Sequence, residues 1–190
     1  DPANRVAVGN VLPDAIGGIN NSFTYKGFDF SFLFAFVIGG DIYDSSSKRQ
    51  LGVMSINDGL WNMTPHIFDR WQQPGDDAGY ARVTTENANL GSTTPWINTD
   101  LWLHDGSFLR LRNITFGYTF PAEKVKKWKL GGLRIYAVGT NLLTFTKFPG
   151  LDPEIARDFE NATDRNMSPN ITYLTPPQEK TFSLGIDLQF

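Results

Sequence analysis

The sequence predicts an all-β protein built from amphipathic antiparallel strands. Three observations point to this class. Apolar and polar residues alternate with period two over several segments. The composition is rich in β-formers, since 14% of the 190 residues are aromatic and 15 are Phe. No apolar run reaches the roughly 18 residues that a transmembrane helix needs.

The first two strands are predicted at residues 16–25 and 28–41. Between them stands Lys26–Gly27, a two-residue hairpin signal. In the second strand every other residue is apolar and aromatic, and we expect these residues to share one face.

The third strand is predicted at residues 102–120 and continues this pattern. Arg110 and Arg112 fall on the parity of its aromatic residues. They must therefore lie beyond the apolar band or follow a β-bulge, which shifts the parity by one residue. The fourth and fifth strands are predicted at residues 133–145 and 180–190.

The links between strands are short at one end and long at the other. The short ones are Lys26–Gly27 and a basic link at 121–132, whereas the long ones cover about 43–101 and 146–178. This asymmetry, with apolar residues facing outward and polar residues inward, is typical of an outer-membrane β-barrel. The residues predicted to face lipid are Phe28, Phe30, Phe32, Phe34, Phe36, Phe116 and Tyr118.

A soluble β-sandwich, such as a carbohydrate-binding module, is the main alternative. Half-buried strands of a soluble sheet also alternate between apolar and polar residues. A sandwich needs a second set of strands with matching apolar faces, and the sequence offers few. A passive outer-membrane barrel is a further alternative.

Composition and motifs exclude several functions. The net charge of −3 and pI near 5.3 argue against nucleic-acid binding. No cysteine is present, and His66 and His104 lack metal-ligand spacing, so neither a metal site nor an enzyme is expected. Asp76, Asp77 and the Asp152/Glu154 pair could bind calcium, but turn roles are favoured beside Gly and Pro.

Four tryptophans in or beside the first long loop are the candidate contact residues. They are Trp61, Trp71, Trp96 and Trp102. Such rings could stack on sugars or contact a partner, or they could pack the interior of the loop.

Four segments carry a family resemblance: RVAVGNVLPDAIGGINNSFTYKGFDFSFLFAFVIGGDIYD at 5–44, DRWQQPGDDAGYAR at 69–82, WLHDGSFLRLRNITFGYTFP at 102–121 and LRIYAVGTNLLTFTKFPGLDPE at 133–154. They resemble the late barrel strands of SusC/RagA-like TonB-dependent transporters. The chain's end resembles the C-terminal signal that the barrel-assembly machinery recognises. The matching residues are Ser183, Gly185, Leu188 and Phe190.

The resemblance implies that residues 1–190 are the C-terminal part of a barrel of about 22 strands, roughly strands 18 to 22. The plug domain and the earlier strands would then lie outside this sequence. The implied activity is TonB-dependent uptake of a glycan or oligopeptide, without a cofactor, across the outer membrane of a Gram-negative, Bacteroidota-type bacterium. The C-terminus would be periplasmic and the long loops extracellular.

The resemblance also implies several partners. A SusD-like surface lipoprotein would cover the loops, and the TonB–ExbB–ExbD complex would act through the missing N-terminal part. Outer-membrane lipid and lipopolysaccharide would surround the barrel, and no nucleic acid is expected.

Overall fold

The computed structural model describes residues 6–48, 64–80, 99–154, 170–172 and 176–190. Its eight strands are β1 (Ala15–Tyr25), β2 (Phe28–Ile38), β3 (Asp41–Asp44), β4 (Leu103–Asp105), β5 (Phe108–Thr119), β6 (Gly132–Thr146), β7 (Ile171–Thr172) and β8 (Thr181–Gln189). The chain divides into two compact units, which are described separately.

The first unit, called the sheet unit, comprises residues 12–40, 105–148 and 176–190. Its five strands form one sheet in the order β1-β2-β5-β6-β8. Each neighbouring pair is antiparallel. The predicted all-β class and the five antiparallel strands are therefore confirmed.

The β1–β2 hairpin closes through the predicted two-residue turn. Both Lys26 and Gly27 have positive φ, at 48° and 88°. Such a turn matches the natural twist of the strands it joins. A Cβ on Gly27 would lie 2.6 Å from the carbonyl oxygen of Thr119, so glycine is needed here for space as well as for conformation.

Two predicted strands are shorter than expected, because glycines interrupt them. The second was predicted to reach residue 41, but Gly39 and Gly40 have φ of 74° and 80° and end β2 at Ile38. The third was predicted to start at residue 102. It is divided into β4 and β5 at Gly106–Ser107, where the Gly39 N–H donates to the Ser107 hydroxyl at 2.9 Å.

The helical segments are single turns. They are α1 (Ser45–Ser47), α2 (Ala122–Val125) and 3₁₀ turns at Pro65–Asp69, Asp100–Trp102 and Lys126–Trp128. None of the turns in the described ranges has the length or hydropathy that a membrane-spanning helix requires.

The second unit, called the loop unit, contains residues 1–11, 41–104 and 149–175. Strands β4, β3 and β7 form a small sheet in that order, and β3 and β7 are parallel. Asp44 ends β3 and caps α1, since its carboxylate accepts from the Ser47 N–H at 3.1 Å. It also accepts from the Thr172 hydroxyl of β7 at 2.8 Å, which holds the two strands together.

Candidate functional site: the polar face of the sheet and the Trp102 cluster

The sheet unit has one apolar face and one polar face. Strand register places a set of aromatic and aliphatic residues from all five strands on the same side. They are Phe23, Tyr25, Phe28, Phe30, Phe32, Phe34, Phe36, Ile114, Phe116, Tyr118, Ile135, Phe182, Leu184, Ile186 and Leu188. All seven residues predicted to face lipid lie on this face.

Aromatic rings contact one another along the apolar face. Phe28 lies 4.5 Å from Tyr118 and 5.8 Å from Phe116, centroid to centroid. Phe32 lies between Phe30 and Phe34, at 5.8 and 5.6 Å. These cross-strand and same-strand contacts hold the face together while leaving its outer surface apolar.

The opposite face carries hydroxyl, amide and charged side chains. Its polar members are Asn20, Ser22, Thr24, Asp29, Ser31, Asn113, Thr115, Thr119, Arg134, Thr140, Thr181, Ser183 and Asp187. A continuous set of donors and acceptors of this kind can bind a polar solute or ordered water.

A bulge at Arg112 explains the misplaced arginines of the sequence pattern. Leu33 pairs with Asn113, but Phe34 pairs with Leu111, so Arg112 is an extra residue in β5. Before the bulge the parity is reversed, and Arg110 pairs with Ala35 on the polar face. The second of the two predicted explanations, a bulge, is therefore confirmed.

The neighbouring strand adapts to the same bulge. Residues 141 and 142 of β6 stand opposite the single residue Arg112, and Asn141 has a φ of 52°. Asparagine tolerates this left-handed conformation better than most residues. Its amide donates to the Glu179 carbonyl at 3.2 Å, and Arg112 donates to the Gln178 side chain at 2.8 Å. The bulge thus ties β5 and β6 to the segment before β8.

A charged network crosses the polar face near the short turns. Arg134 of β6 donates to both carboxylate oxygens of Asp29 in β2, at 2.7 and 3.1 Å. It also contacts Asp187 of β8 at 3.4 Å. Its guanidinium carbon lies 4.7 Å from the centre of the Tyr136 ring. A planar, two-pronged arginine contact fixes geometry better than a point charge does.

Two glycines make room for this network. A Cβ on Gly117 would lie 2.5 Å from an Asp29 oxygen and 2.8 Å from an Arg134 nitrogen. Gly185 of β8 pairs with Tyr136, and a Cβ there would overlap the tyrosine ring. Sequence reasoning assigned Gly185 to the C-terminal signal and missed its packing role. It missed the Arg134 network too. Once the register is known, the pairing of Asp29 with Gly117 and of Arg134 with Asp187 indicates that these charged residues lie close together.

The other C-terminal signal residues occupy both faces of β8. Ser183 and Gly185 lie on the polar face, and Leu188 lies on the apolar face. Phe190 follows the strand and is 95% exposed. Their recognition by the assembly machinery stays a prediction.

In the loop unit, Trp102 forms the centre of a small core. It is 6% exposed and packs against Tyr43, Ile67 and Tyr80. The Tyr80 ring is stacked at 6.4 Å with an interplanar angle of 20°. Burial to this extent favours the packing alternative for Trp102. Its contact with substrate or partner stays a prediction.

Trp71 lies in a closed loop and is half-buried. Its backbone N–H donates to the Tyr80 backbone carbonyl at 2.8 Å. The Asp76 carboxylate accepts from the N–H groups of Gln72 and Gln73, and these bonds hold the pKa of Asp76 below its usual range. Contact of Trp71 with substrate or partner stays a prediction. Trp61 and Trp96 lie outside the described residues.

The acidic residues considered for calcium take part in local turns. Asp76 caps the turn before Gly75, and Asp152 accepts from the Glu154 N–H at 2.9 Å. Within the described ranges, no three His, Asp or Glu side chains are grouped as metal ligands.

Comparisons with known proteins agree with the resemblance that the sequence motifs indicated. No family model matches the chain. TonB-dependent receptor P3 of Formosa agariphila is 30% identical over 188 residues, 99% of this chain. TonB-dependent receptor SusC of Bacteroides thetaiotaomicron is 30% identical over 179 residues, 93% of this chain. The chain spans only 17% and 15% of the lengths of these two relatives.

Solved structures match the fold. The RagAB peptide importer in the open-open state aligns with a TM-score of 0.68 at 24% identity, over 95% of this chain and 17% of that chain. A structure of the RagAB peptide transporter aligns with a TM-score of 0.69, over 95% and 18%. The predicted resemblance is therefore confirmed: over nearly its whole length this chain is similar in sequence to TonB-dependent receptors, SusC among them, and its fold matches that of the RagAB structures.

Proposed function

We propose that this chain forms part of the transmembrane β-barrel of an outer-membrane transporter that imports a large nutrient by a TonB-dependent mechanism. In this role the chain binds, encloses and releases a solute, and no covalent chemistry takes place. The polar face of the sheet lines the interior of the barrel, and the apolar face contacts lipid.

The observation that carries the proposal is the exposure of the apolar face. Phe23 is 57% exposed, Phe116 52% and Leu184 75%, although all three lie in paired strands of the sheet. In a soluble sandwich these residues would be covered by a second sheet. Contiguous apolar surfaces of this extent are rare on soluble proteins, and a bilayer is the environment that accommodates them.

The sheet also leaves two edges to be paired. β1 and β8 are the outer strands, and exposed strand edges are not tolerated in lipid. We place the five strands as roughly strands 18 to 22 of a closed barrel of about 22 strands. We infer that the short turns then face the periplasm and that the long connections predicted from the sequence, at about 43–101 and 146–178, are extracellular.

The similarity to TonB-dependent receptors supports a proposal for the energy source and the partners. The TonB–ExbB–ExbD complex supplies energy through another part of the receptor, and a SusD-like lipoprotein covers the surface loops. The barrel-assembly machinery recognises the β8 end. The cargo is a glycan or an oligopeptide.

Membrane extraction tests the barrel against the soluble alternative. Membranes from cells that express the receptor are washed with alkaline carbonate and then treated with detergent. We expect the receptor to stay in the washed membranes and to enter solution only with detergent. Release by carbonate alone would overturn the barrel and favour the carbohydrate-binding sandwich.

Uptake in a strain without TonB tests the mechanism. We expect growth on the cognate glycan or peptide mixture to be lost when either the receptor or TonB is deleted. Uptake that needs the receptor but not TonB would instead support the passive barrel.

A further inference from the structure

The short-turn end of the sheet concentrates positive charge. The link between β5 and β6 carries Lys124, Lys126, Lys127 and Lys129, and the adjacent β1–β2 turn carries Lys26. All five side chains are exposed, and Glu123 is the one acid in the link. The sequence as a whole has a net charge of −3, so this basic end departs from the average of the chain.

The link is an ordered structure that directs its lysines outward. Val125 is fully buried, and the Leu130 N–H donates to its carbonyl at 3.3 Å. The Lys129 N–H donates to the Lys126 carbonyl at 3.0 Å, and Lys129 takes a left-handed φ of 59°. The Gly131 N–H donates to the Gln189 carbonyl at 2.7 Å, which attaches the link to β8.

Exposed aromatic rings accompany the lysines at the same end. Trp128 is 60% exposed and stands among the lysines of the link. Tyr25 is 69% exposed and lies under the Lys26 ammonium, 5.1 Å from the ring centre. Tryptophan and tyrosine with neighbouring basic residues are characteristic of the boundary between the acyl chains and the head groups of a bilayer.

The opposite end of the sheet provides a contrast. There, Lys147 and Lys180 are accompanied by acidic residues, namely Asp14, Asp105 and Glu179. Apart from the ion pairs of Arg134 with Asp29 and Asp187, the short-turn end thus carries five lysines against the single acid Glu123. Trp128 and Tyr25 are exposed at the same end, and both features favour an anionic interface.

We propose that the link at 121–131, together with Lys26, is a binding site for the anionic head groups of phospholipids in the leaflet that faces the short turns. The lysines contact the head-group phosphates, and Trp128 lies at the top of the acyl chains. The proposal rests on the proposed function, since it requires a membrane-embedded barrel. Each lysine close to an anionic surface strengthens binding severalfold, and the effect weakens as salt increases.

Native mass spectrometry of the detergent-purified receptor measures how much phospholipid this site retains. The probes are phosphatidylglycerol and phosphatidylethanolamine at equal concentration. We expect the unmodified receptor to retain phosphatidylglycerol preferentially, and the K126Q/K127Q variant to reduce that retention about tenfold. The matched control, K147Q/K180Q, removes the same charge at the opposite end and should leave retention unchanged.

Quenching by brominated lipid reports the position of Trp128. In vesicles with brominated phosphatidylglycerol, the fluorescence component that is lost in W128F should be quenched, and quenching should fall in K126Q/K127Q. Equal retention in all three proteins, or an unquenched Trp128, would overturn the lipid site. Heat-modifiable migration on a gel reports the folded barrel separately, so its absence would instead count against the proposed function.

Discussion

The sheet unit and the loop unit place their aromatic side chains in opposite ways. The loop unit buries its aromatic Trp102 among Tyr43, Ile67 and Tyr80, as a water-soluble domain does. The sheet unit keeps most of its aromatic residues on an exposed face and has its ion pairs on the other face. Phe116 is 52% exposed, whereas Trp102 is 6% exposed.

Under the proposed function, the difference follows from the solvent that surrounds each unit. In water, burial of an aromatic ring stabilises a fold. In lipid, the ring gains as much by facing outward, and the backbone hydrogen bonds of the sheet become the essential interactions. One chain therefore contains two packing regimes, and substitutions can separate them.

The largest effect is expected from a charge on the apolar face. Phe32→Arg places a guanidinium in the middle of β2, among Phe23, Phe30 and Phe34. It should destabilise the membrane-embedded receptor by on the order of 5 kcal/mol, the sum of charge insertion and lost apolar contact. The measurement is the amount of heat-modifiable receptor in outer membranes and its urea unfolding in vesicles.

The control for that substitution lies one residue away. Ser31→Arg introduces the same side chain on the polar face, between Ser22 and Thr115. Its cost should be below about 1 kcal/mol, as for an exposed surface position. Equal losses in the two variants would show that the two faces do not meet different solvents.

In the loop unit, by contrast, the damaging substitution should be one that removes an aromatic ring. Trp102→Ala should destabilise this unit by about 3 kcal/mol, because it leaves a cavity beside Tyr80. Limited proteolysis should then cut the loop unit while the sheet stays intact. Phe68→Ala is the control, since Phe68 is 77% exposed. Cleavage of Trp102→Ala at the wild-type rate would contradict the role of Trp102 as the centre of this core.

A smaller effect should follow from crowding the ion pair on the polar face. Gly117→Ala places a methyl group against the Asp29 carboxylate and the Arg134 guanidinium, at a cost of about 1–3 kcal/mol. A lowered melting temperature of the detergent-solubilised receptor measures it. At Gly131 an added Cβ meets ordinary contacts at 3.6 Å, so Gly131→Ala should melt like wild type. Identical melting of both variants would mean that the network tolerates the methyl group.

The smallest effect concerns the carboxylate at the junction of β4 and β5. The Ser107 hydroxyl and the Ser107 backbone N–H both donate to the Asp105 carboxylate and lower its pKa, and the hydroxyl has the larger effect. Because the folded pKa lies below the unfolded value of about 3.9, the contribution is present above pH 4 and is lost as pH falls through the folded pKa.

Asp105→Asn should therefore lower the melting temperature at pH 7 but not at the acid end of the titration. Since the side chain is exposed, the loss should stay below about 1 kcal/mol. Melting curves of wild type and variant between pH 3 and 7 measure it. A difference that grows toward low pH would have the wrong sign and would contradict the assignment.

Strand positions were predictable because their signal is local. Period-two alternation and the Lys26–Gly27 turn indicate β1, β2 and their register within the chain. The bulge was predictable as one of two alternatives from the parity of Arg110 and Arg112. The end of β2 was less predictable, because glycines within an alternating segment are compatible with a continuous strand.

The charged network and the role of Trp102 were not predictable in the same way. Asp29 and Arg134 are far apart in sequence and meet only because β2, β5 and β6 are neighbours in a defined register. A tryptophan in a long loop gives no periodicity from which burial can be inferred. Its surroundings depend on how Tyr43, Ile67 and Tyr80 fold around it.

The sequence by itself determined the strand pattern and the division into an apolar and a polar face, because both depend on residues that are adjacent or two apart in the chain. It also determined the similarity to TonB-dependent receptors, which extends over nearly the whole chain. The tertiary structure alone decided which strands are neighbours, where the parity shifts at Arg112, why Gly117 and Gly185 lack side chains and which tryptophan is buried. These features depend on contacts between distant segments, and such contacts exist only once the backbone hydrogen bonds have fixed the register.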